Sequence, residues 1–485
     1  MHGPLHLEKV PRSYRRLPVA ASIEQAAWVG SCAGPRYHAA SQGGGPLVGR
    51  HERHEQDGCG GTSMNGLATR RSMLTSAAIM AAVETVRAAD PKAAVRVAIM
   101  GLGSRGSALL QAFLAAGAEV AGLCDVDDNA AARAAAAVAK RQDAKPRVER
   151  DVRRLLDDSA LDALVVATPN HWHAPATILA CQAGKHVYVE KPCSHTPDEG
   201  ELALAAARRH GVVVQHGTQR RSWPWVQEAV KAVQDGALGP VHVARSWYTN
   251  RRPSIGRGQK VAPPATLDWM LWQGPAPERP FASNVLPYNW HWWWHWGNGE
   301  LGNNGVHGLD VARWALGVTF PTRVTSAGGR WYHDDDQETP DTMTVAYEFP
   351  GGVMITWEGQ SCTPLGPQGS TFGVSFHGPE ASLVIDTEGW RVLDRKNQTV
   401  AEHEATKRDE VAHVADFLAA IRAGRRPNAD IADGHASALL CHLGNIAHRT
   451  DTVLHTRPED GHIVGADDAA ALWTKEYRPG WRPTA

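Results

Sequence analysis

The stretch from Ala94 to Gly106 reads AVRVAIM-GLGSRG and decides the first part of the fold. It starts as a short apolar strand, and a helical run follows from Ser107 to Ala116. A GxGxxG motif between a strand and a helix is typical of a dinucleotide-binding βαβ unit. Gly101 allows the tight turn, Gly103 lets the backbone approach a pyrophosphate, and Gly106 allows close helix packing.

A second strand is predicted from Glu119 to Cys124, and Asp125 follows it directly. A carboxylate at this place is expected to hold the ribose hydroxyls of an adenosine. It would repel a 2′-phosphate, so the pattern favours NAD over NADP. The phosphates are expected at the helix N-terminus, beside Ser104 and Arg105. The alternative is a glycine-rich loop in an unrelated α/β domain.

Apolar strands and helices go on alternating, with strands predicted at 161–167, 186–189 and 212–215. This alternation indicates a parallel sheet that binds its ligand at the carboxyl ends of the strands. The polar residues that follow these strands, and that we expect at the cofactor, are Thr168, Asn170, His173, Glu190, Lys191 and Gln219. A cation placed like Lys191 can bond a substrate hydroxyl and stabilise the alkoxide. The alternative is a surface lysine before a helix that Pro192 begins.

These motifs, taken in order, resemble the Gfo/Idh/MocA oxidoreductases, a family that includes glucose–fructose oxidoreductase and inositol dehydrogenases. The residues that carry the resemblance are the glycine loop, the strand that ends in Asp125, Thr168-Pro169-Asn170-x-x-His173 and Glu190-Lys191-Pro192. The later stretch at 302–310, GNNGVHGLD, is similar to the histidine-bearing segment of that family. The resemblance covers roughly residues 94–480. It implies an NAD-dependent oxidoreductase in which Lys191 and His307 are catalytic.

The histidine-bearing segment departs from the family pattern at one position. Inositol dehydrogenase-like members have an aspartate four residues before the catalytic histidine, and this chain has Asn303 there. Asn303 is therefore expected to hold a sugar hydroxyl or to orient the His307 ring. If the segment is helical, Asp310 lies on the same face as His307 and could supply the carboxylate.

The pattern changes after about residue 239. Strand-like runs separated by turn residues are predicted at 241–247, 342–348, 353–358, 372–377 and 382–385. We therefore predict an α/β protein with an N-terminal Rossmann dinucleotide-binding domain (91–222) and a C-terminal α+β domain (223–460) with a large, mostly antiparallel open sheet. Residues 461–485 are expected to form a tail that packs back on the body. An open sheet needs a cover, so a homodimer or homotetramer is expected.

Tryptophan is unusually common, with 18 residues against 7 phenylalanines and 8 tyrosines. The stretch 288–296, YNWHWWWHW, fits neither a helical nor a strand period that would bury all of its rings. Indole rings can stack on the apolar faces of sugar rings, and the alternative is a role in the core or a subunit contact. The residues expected at the substrate are Arg220, Tyr288, Asn289, Trp290, Trp292, Asn303, His307 and Asp310. His171, His291 and His295 lack the spacing of a metal site, so no metal is predicted.

The N-terminal 90 residues differ from the rest. Residues 1–63 have no sustained period and are predicted to be disordered or a mis-assigned start. Residues 64–90 contain Arg70-Arg71, a short apolar core and small exit residues, which indicates a twin-arginine export signal and a periplasmic protein. The alternative is an amphipathic helix in a cytoplasmic protein.

Charge and hydropathy exclude other classes. The net charge of −1 argues against a nucleic-acid or membrane-surface partner, and no apolar run reaches the roughly 18 residues of a membrane span. Three hypotheses remain. The first is an NAD-dependent oxidoreductase of a sugar, polyol, inositol or glycoside. The second is a sugar–sugar oxidoreductase or NAD-dependent glycosidase that keeps and recycles its cofactor. The third is a non-catalytic secreted sugar-binding protein.

Overall fold

Six parallel strands form the first sheet of the computed structural model, which describes residues 94–405 and 409–485. In chain order they are β1 (Arg96–Met100), β2 (Glu119–Cys124), β3 (Arg147–Glu149), β4 (Ala163–Val166), β5 (His186–Val189) and β6 (Val214–His216). The spatial order is β3-β2-β1-β4-β5-β6. The order reverses between β1 and β4, and open parallel sheets bind ligands at such a switch point. The predicted segments 1–63 and 64–90 lie outside the described residues.

Helices cover both faces of this sheet. They are α1 (Ser104–Ala115), α2 (Asp128–Val138), α3 (Val152–Leu156), α4 (Asn170–Gln182) and α5 (Pro197–Arg209). The strands β1 and β4 are apolar almost throughout because both of their faces are buried, as expected for a parallel sheet between helices. Asp127 accepts a hydrogen bond from the Asn129 N–H and so caps the start of α2.

The second sheet has ten strands within the described residues. In chain order these are β7 (Val243–Thr249), β8 (Arg323–Gly329), β9 (Thr342–Phe349), β10 (Val353–Gln360), β11 (Phe372–His377), β12 (Ala381–Asp386), β13 (Gly389–Asp394), β14 (Thr399–Glu404), β15 (Leu454–Thr456) and β16 (Ile463–Val464). Their spatial order is β14-β13-β12-β11-β7-β10-β9-β8-β15-β16, and the pairs are antiparallel except β7 with β10. The predicted combination of a parallel sheet and a mostly antiparallel sheet is confirmed.

The helices of the second half are α6 (Pro224–Gln234), α7 (Trp269–Gln273), α8 (Val306–Leu316), α9 (Glu410–Ala423), α10 (Ile431–Thr450) and α11 (Asp467–Ala470). Buried side chains of α6, α8 and α10 form one core with the second sheet, including Val345, Tyr347 and Trp357. Burial alternates along β9, so one face of the sheet carries this core.

Two late segments return to the first domain. Helix α9 packs Val414, Phe417 and Leu418 into the core of the first sheet. At the C-terminus, the Trp481 ring lies edge-on to Trp172 with centroids 5.4 Å apart. The backbone oxygens of the last two residues accept hydrogen bonds from Gln182 and Arg209. The first domain is therefore completed by chain that follows strand β14 of the second sheet. Across the described ranges, no helix is both long and apolar enough to cross a membrane.

Candidate active site

A cavity of about 850 Å³ lies at the carboxyl ends of β1, β2, β4 and β5. The sequence-predicted residues that line it are Gly101, Gly103, Ser104, Arg105, Asp125, Thr168, Asn170, His173, Glu190, Lys191, Tyr288 and Trp290. One wall therefore comes from the first domain and the opposite wall from the tryptophan-rich segment. The predicted residues that do not line this cavity are Gly106, Gln219, Arg220, Asn289, Trp292, Asn303, His307 and Asp310.

The glycine loop has the geometry of a phosphate cradle. Gly101 has φ +84°, and a Cβ there would lie 2.7 Å from the Ala167 carbonyl oxygen. A Cβ on Gly106 would lie 1.7 Å from the Gly101 carbonyl oxygen, so only glycine allows this packing. Gly103 has nothing within 4 Å of its Cβ position, and it precedes the α1 N-terminus without a side-chain cap. The first N–H groups of α1 are therefore available to an anion in the cavity.

Asp125 lies at the adenosine end of this cradle. Its Oδ2 accepts the Leu102 N–H at 2.6 Å and its Oδ1 accepts the Asp127 N–H at 2.9 Å. Burial raises the pKa of Asp125, and these backbone hydrogen bonds act in the opposite direction. Each carboxylate oxygen keeps a second lone pair, which can accept a ribose hydroxyl. The loop and this carboxylate together fit a dinucleotide.

Lys191 follows β5 and reaches across to the second domain. Its Nζ donates to the backbone oxygen of Asn303 at 2.6 Å and to the Asn303 Oδ1 at 2.9 Å. Burial lowers the pKa of Lys191 to about 8, although the nearby carboxylates of Glu190 and Glu300 act against this shift. A lysine with this pKa can both accept and donate a proton near neutral pH.

Asn303 is engaged at both ends of its amide. Its Oδ1 accepts from Lys191, and its Nδ2 donates to the Tyr288 hydroxyl at 3.0 Å. Asn303 lies in a π-helical turn at Leu301–Gly305, directly before α8. The structure thus bonds Asn303 to Lys191, whereas the sequence had suggested that Asn303 holds a sugar hydroxyl or orients the His307 ring.

Glu190 accepts hydrogen bonds from three side chains at the edge of the cavity. The Glu190 Oε1 accepts from Arg105 Nε at 2.7 Å, from the Tyr188 hydroxyl at 3.3 Å and from Gln219 Nε2 at 3.2 Å. Burial alone would raise the pKa of Glu190, but Arg105 and Lys191 hold it below its usual value. Gln219 is buried in this network and does not face the cavity.

The polar residues after β4 are fixed by backbone contacts. His173 lies between two carbonyl oxygens, with Nδ1 2.6 Å from Pro192 and Nε2 2.7 Å from Thr168. It therefore joins the loop after β4 to the loop after β5. Thr168 and Asn170 line the cavity beside it.

His307 is partly buried on the first turn of α8. Burial, together with the positive charges of Arg220 and Lys191, lowers the pKa of His307 well below its usual value, so the ring is neutral at pH 7. Its Nδ1 has no hydrogen-bond partner among the described residues. Arg220, which was expected at the substrate, lies over the Phe372 ring at 3.8 Å.

The suggestion that Asp310 supplies a carboxylate to His307 is wrong. Asp310 is fully buried and accepts Arg221 Nε at 2.8 and 3.0 Å, and its Oδ1 also accepts the Ser437 hydroxyl at 2.7 Å. Burial alone would raise the pKa of Asp310, but Arg221 holds it below its usual value. A buried guanidinium requires a carboxylate partner, so the Asp310 side chain points to Arg221 and not to His307.

Part of the tryptophan-rich segment packs with α7 into a buried cluster. Trp269 and Trp272 stack with centroids 4.7 Å apart, and Trp296 lies edge-on to both. Only part of the segment reaches the cavity, where Trp290 and Tyr288 form the wall beside Lys191. Within this cluster, Trp272, Phe281 and Trp290 line the cavity, whereas Trp269 and Trp296 do not.

Two of the predicted substrate residues turn away within the 3₁₀ turn at Asn289–Trp292. Asn289 donates to the Asn284 carbonyl oxygen at 2.8 Å, and Trp292 is buried under the Arg252 guanidinium at 4.6 Å. Side chains three residues apart share a face in such a turn, which places these two together on the side away from the cavity.

Several wall residues had no motif that could reveal them in the sequence. The strongest examples are Val261, Thr266, Leu267, Phe281 and His291. The three histidines considered as metal ligands each contact a backbone carbonyl oxygen instead, of Trp272, Tyr288 or Pro277. In the described part of the chain, no group of three or more metal-binding side chains comes together.

Two models of the Gfo/Idh/MocA family match this chain. One, described as an oxidoreductase family NAD-binding Rossmann fold, matches residues 95–218. The other, described as an oxidoreductase family C-terminal alpha/beta domain, matches residues 226–483. The prediction of an NAD-binding domain is confirmed by the first of these matches.

Individual relatives are more distant. Levoglucosan dehydrogenase of Pseudarthrobacter phenanthrenivorans is 28% identical over 49% of this chain and 58% of its own length. A glycosyl hydrolase family 109 protein of Saccharopolyspora erythraea is 36% identical over 30% of this chain and 33% of its own length. The chain thus spans well under two thirds of the length of these curated relatives. A solved levoglucosan dehydrogenase in complex with NADH and levoglucosan has a TM-score of 0.60 and 21% identity, over 75% of this chain and 99% of that one. This likeness shows the shared fold.

Proposed function

Because the chain belongs to the Gfo/Idh/MocA family of oxidoreductases, we propose that it oxidises a secondary alcohol of a sugar, polyol, inositol or glycoside. NAD, when bound, supplies the hydride acceptor for this reaction. The chain's own residues hold the dinucleotide, orient the alcohol and take its hydroxyl proton.

The observation that carries the proposal is the pair of hydrogen bonds between Lys191 and Asn303. A neutral lysine amine has two N–H groups and one lone pair. Both oxygens of Asn303 accept from this amine, at 2.6 and 2.9 Å. With its N–H groups taken up in this way, the amine can direct its lone pair at a hydroxyl in the cavity. Lys191 then accepts the hydroxyl proton as the C–H bond breaks, and its new charge stabilises the developing negative charge on oxygen.

Tyr288 is proposed to position the alcohol in the cavity, and His307, which does not line the cavity, is proposed to contact the part of the substrate that extends beyond it. His307 is neutral at pH 7 and its low pKa makes it a weak proton acceptor, so it suits a hydrogen-bonding role. Tyr288 lines the cavity and accepts from Asn303 through its hydroxyl, which leaves the hydroxyl hydrogen for a substrate oxygen.

The experiment is a substrate screen with added NAD. Purified protein is mixed with cyclitols, aldoses, polyols and glycosides, and reduced nicotinamide is followed by its absorbance. We expect reduction with at least one class and a loss of about 10²–10⁴ in turnover for Lys191→Met. No reduction with any class would count against the proposal. Sugar binding that Lys191→Met leaves unchanged, with no reduction of NAD in either protein, would instead favour the non-catalytic sugar-binding alternative.

A second candidate keeps the cofactor bound and restores it within each turnover. The partial match to a glycosyl hydrolase family 109 protein favours it. In this case the enzyme either reduces a second sugar or completes the net hydrolysis of a glycoside. The substrate screen separates the two candidates, because a recycling enzyme releases no net reduced cofactor although its bound cofactor is transiently reduced.

We also propose that the protein is exported to the periplasm as a homodimer or homotetramer. The support for export is the order of Arg70-Arg71, apolar core and small residues in 64–90. A fusion of 64–90 to a reporter should be exported only when both arginines are intact, and a cytoplasmic reporter would contradict export. Light scattering gives the oligomer size, and a monomer would contradict the assembly.

A further inference from the structure

We propose that residues 259–268 form a strap that closes the adenosine half of the cavity and limits the release of NAD. The proposal rests on the proposed function only for the identity of the occupant. The strap residues that line the cavity are Val261, Ala262, Pro264, Thr266 and Leu267. They face the end of β2 and the start of α2, where Asp125 is expected to hold the ribose.

The C-terminal end of the strap is tied to the first domain by backbone hydrogen bonds. The Asp128 N–H donates to the Thr266 carbonyl oxygen at 3.1 Å, and the Asp268 N–H donates to the Val126 carbonyl oxygen at 2.9 Å. These two bonds flank an antiparallel bridge between Asp127 and Leu267. The tie therefore involves the loop that directly follows the ribose-holding carboxylate.

A side-chain bond reinforces this tie. Asn129 Nδ2 donates to the Thr266 Oγ1 at 3.2 Å, at an exposed position. Both groups can exchange this bond for bonds to water when the strap opens. The bond therefore stabilises the closed strap without being needed for the fold.

The N-terminal end of the strap is attached by backbone hydrogen bonds to residues 281–283. The Val261 N–H donates to the Phe281 carbonyl oxygen at 3.2 Å, and the Ser283 N–H donates to the Gln259 carbonyl oxygen at 3.0 Å. Beyond the strap, the stacked Trp269 and Trp272 hold the chain. The strap is thus attached at one end to residues 281–283 and at the other end to the tryptophan cluster, while residues 261–265 between them are exposed.

Release of a bound dinucleotide from this half of the cavity requires the tie to open. Two backbone hydrogen bonds of ordinary strength correspond to a roughly 5- to 150-fold slower release than from an open cleft. The strap therefore slows the exchange of the cofactor between the cavity and solution. The residues of the tie act by positioning the strap and do not touch the reacting atoms.

A disulfide across the tie tests the proposal directly. Asp127 and Leu267 are the facing pair between the two hydrogen bonds, and such pairs have Cα atoms about 4.5 Å apart, within disulfide range. The double variant Asp127→Cys/Leu267→Cys is loaded with NAD and then oxidised, and release of NAD is measured after dilution. Release should fall by at least about tenfold on oxidation, because a disulfide does not rearrange within minutes. The two single-cysteine variants are the controls and should not respond to the oxidant.

A milder variant keeps the test meaningful if the double variant does not fold. Asn129→Ala removes the exposed side-chain bond and should speed NAD release by roughly 2- to 10-fold. Asn428→Ala, an exposed asparagine outside the cavity, is the matched control and should leave release unchanged. Equal release rates in oxidised and reduced double variant, or in Asn129→Ala and wild type, would overturn the strap.

The strap and the proposed function fail in distinguishable ways. If oxidation traps NAD but no sugar alcohol reduces it, the strap is supported and the proposed activity is not. If sugar alcohols are oxidised but the rate of NAD release is the same in the strap variants and in wild type, the activity is supported and the strap is not. If the protein holds no NAD at all, the strap proposal is refuted.

Discussion

Replacing Asn303 by aspartate tests how Lys191 is tuned. The side chain keeps its shape, and an oxygen remains 2.9 Å from the lysine Nζ, but it gains a negative charge. An opposite charge this close favours the protonated amine and raises its pKa by about 1–3 units. We therefore expect the pKa of Lys191, which is about 8, to rise in the Asn303→Asp variant.

The change in oxidation rate expected for Asn303→Asp follows from the fraction of Lys191 that is neutral. Only the neutral form can accept the hydroxyl proton, and with a pKa of about 8 it is roughly a tenth of the total at pH 7. A rise of 1–3 units cuts this fraction, and the oxidation rate at pH 7, by about 10- to 1000-fold. Oxidation should recover as pH is raised, whereas carbonyl reduction, which uses the protonated amine, should be preserved at neutral pH.

The assay is the pH profile of kcat for alcohol oxidation. The wild-type rate should rise with pH and level off above the Lys191 pKa, and Asn303→Asp should move that limb to higher pH. Asn303→Ala is the control, since it removes the side-chain acceptor without adding charge and should lower the rate without the alkaline shift. A limb at the same pH in wild type and Asn303→Asp would refute the assignment of Lys191 as the base.

Four further substitutions separate chemistry, cofactor binding and folding. Lys191→Met should lower kcat and kcat/KM together by about 10²–10⁴-fold, while NAD binding measured by calorimetry barely changes. Loss of NAD binding with normal turnover would instead make Lys191 a cofactor anchor. Gly103→Ala should keep the thermal unfolding midpoint but weaken NAD binding, because the added methyl group enters the open space where the phosphates are expected. Gly101→Ala should lower the thermal unfolding midpoint, because its Cβ would lie 2.7 Å from a carbonyl oxygen. Asp310→Ala should lower the free energy of unfolding by about 3 kcal/mol in denaturant titrations, since the buried Arg221 loses both of its hydrogen bonds to Asp310 and keeps the longer contact to Asp433 at 3.5 Å. A stable Asp310→Ala protein with lost activity would restore a catalytic role to Asp310.

Five of the six strands of the first sheet could be predicted because their signals are local, and the exposed edge strand β3 was missed because RVE has no apolar run. Buried parallel strands are short apolar runs, and the predicted strands at Glu119–Cys124 and His186–Val189 have the observed bounds. The glycine loop and Asp125 follow from the same local pattern. Lys191 was found because it directly follows such a strand.

The outer strands of the second sheet were missed for the opposite reason. Strand β14 is exposed along nearly its whole length, so its sequence, TVAEHE, carries no alternation between apolar and polar residues. Strands β15 and β16 have three and two residues, too few for a period to appear. Strand pairing alone defines these elements.

The errors at the site are long-range contacts. The pair of Arg221 and Asp310 is separated by 89 residues, and no helical spacing rule can reveal it. The contact from Lys191 to Asn303 joins two domains across 112 residues. For the tryptophan segment, the sequence left a sugar-facing wall, a core role and a subunit contact open. In the structure Trp290 lines the cavity, whereas Trp296 packs against Trp269 and Trp272.

The most direct test of the central claim is a single-turnover experiment with stoichiometric NAD. Protein loaded with one equivalent of NAD is mixed with each sugar, cyclitol or glycoside, and bound reduced nicotinamide is followed in time. We expect reduction with at least one of these alcohols, faster as pH rises toward the Lys191 pKa of about 8, and little reduction in Lys191→Met. Protein that holds NAD but leaves it oxidised with all of them would contradict the account.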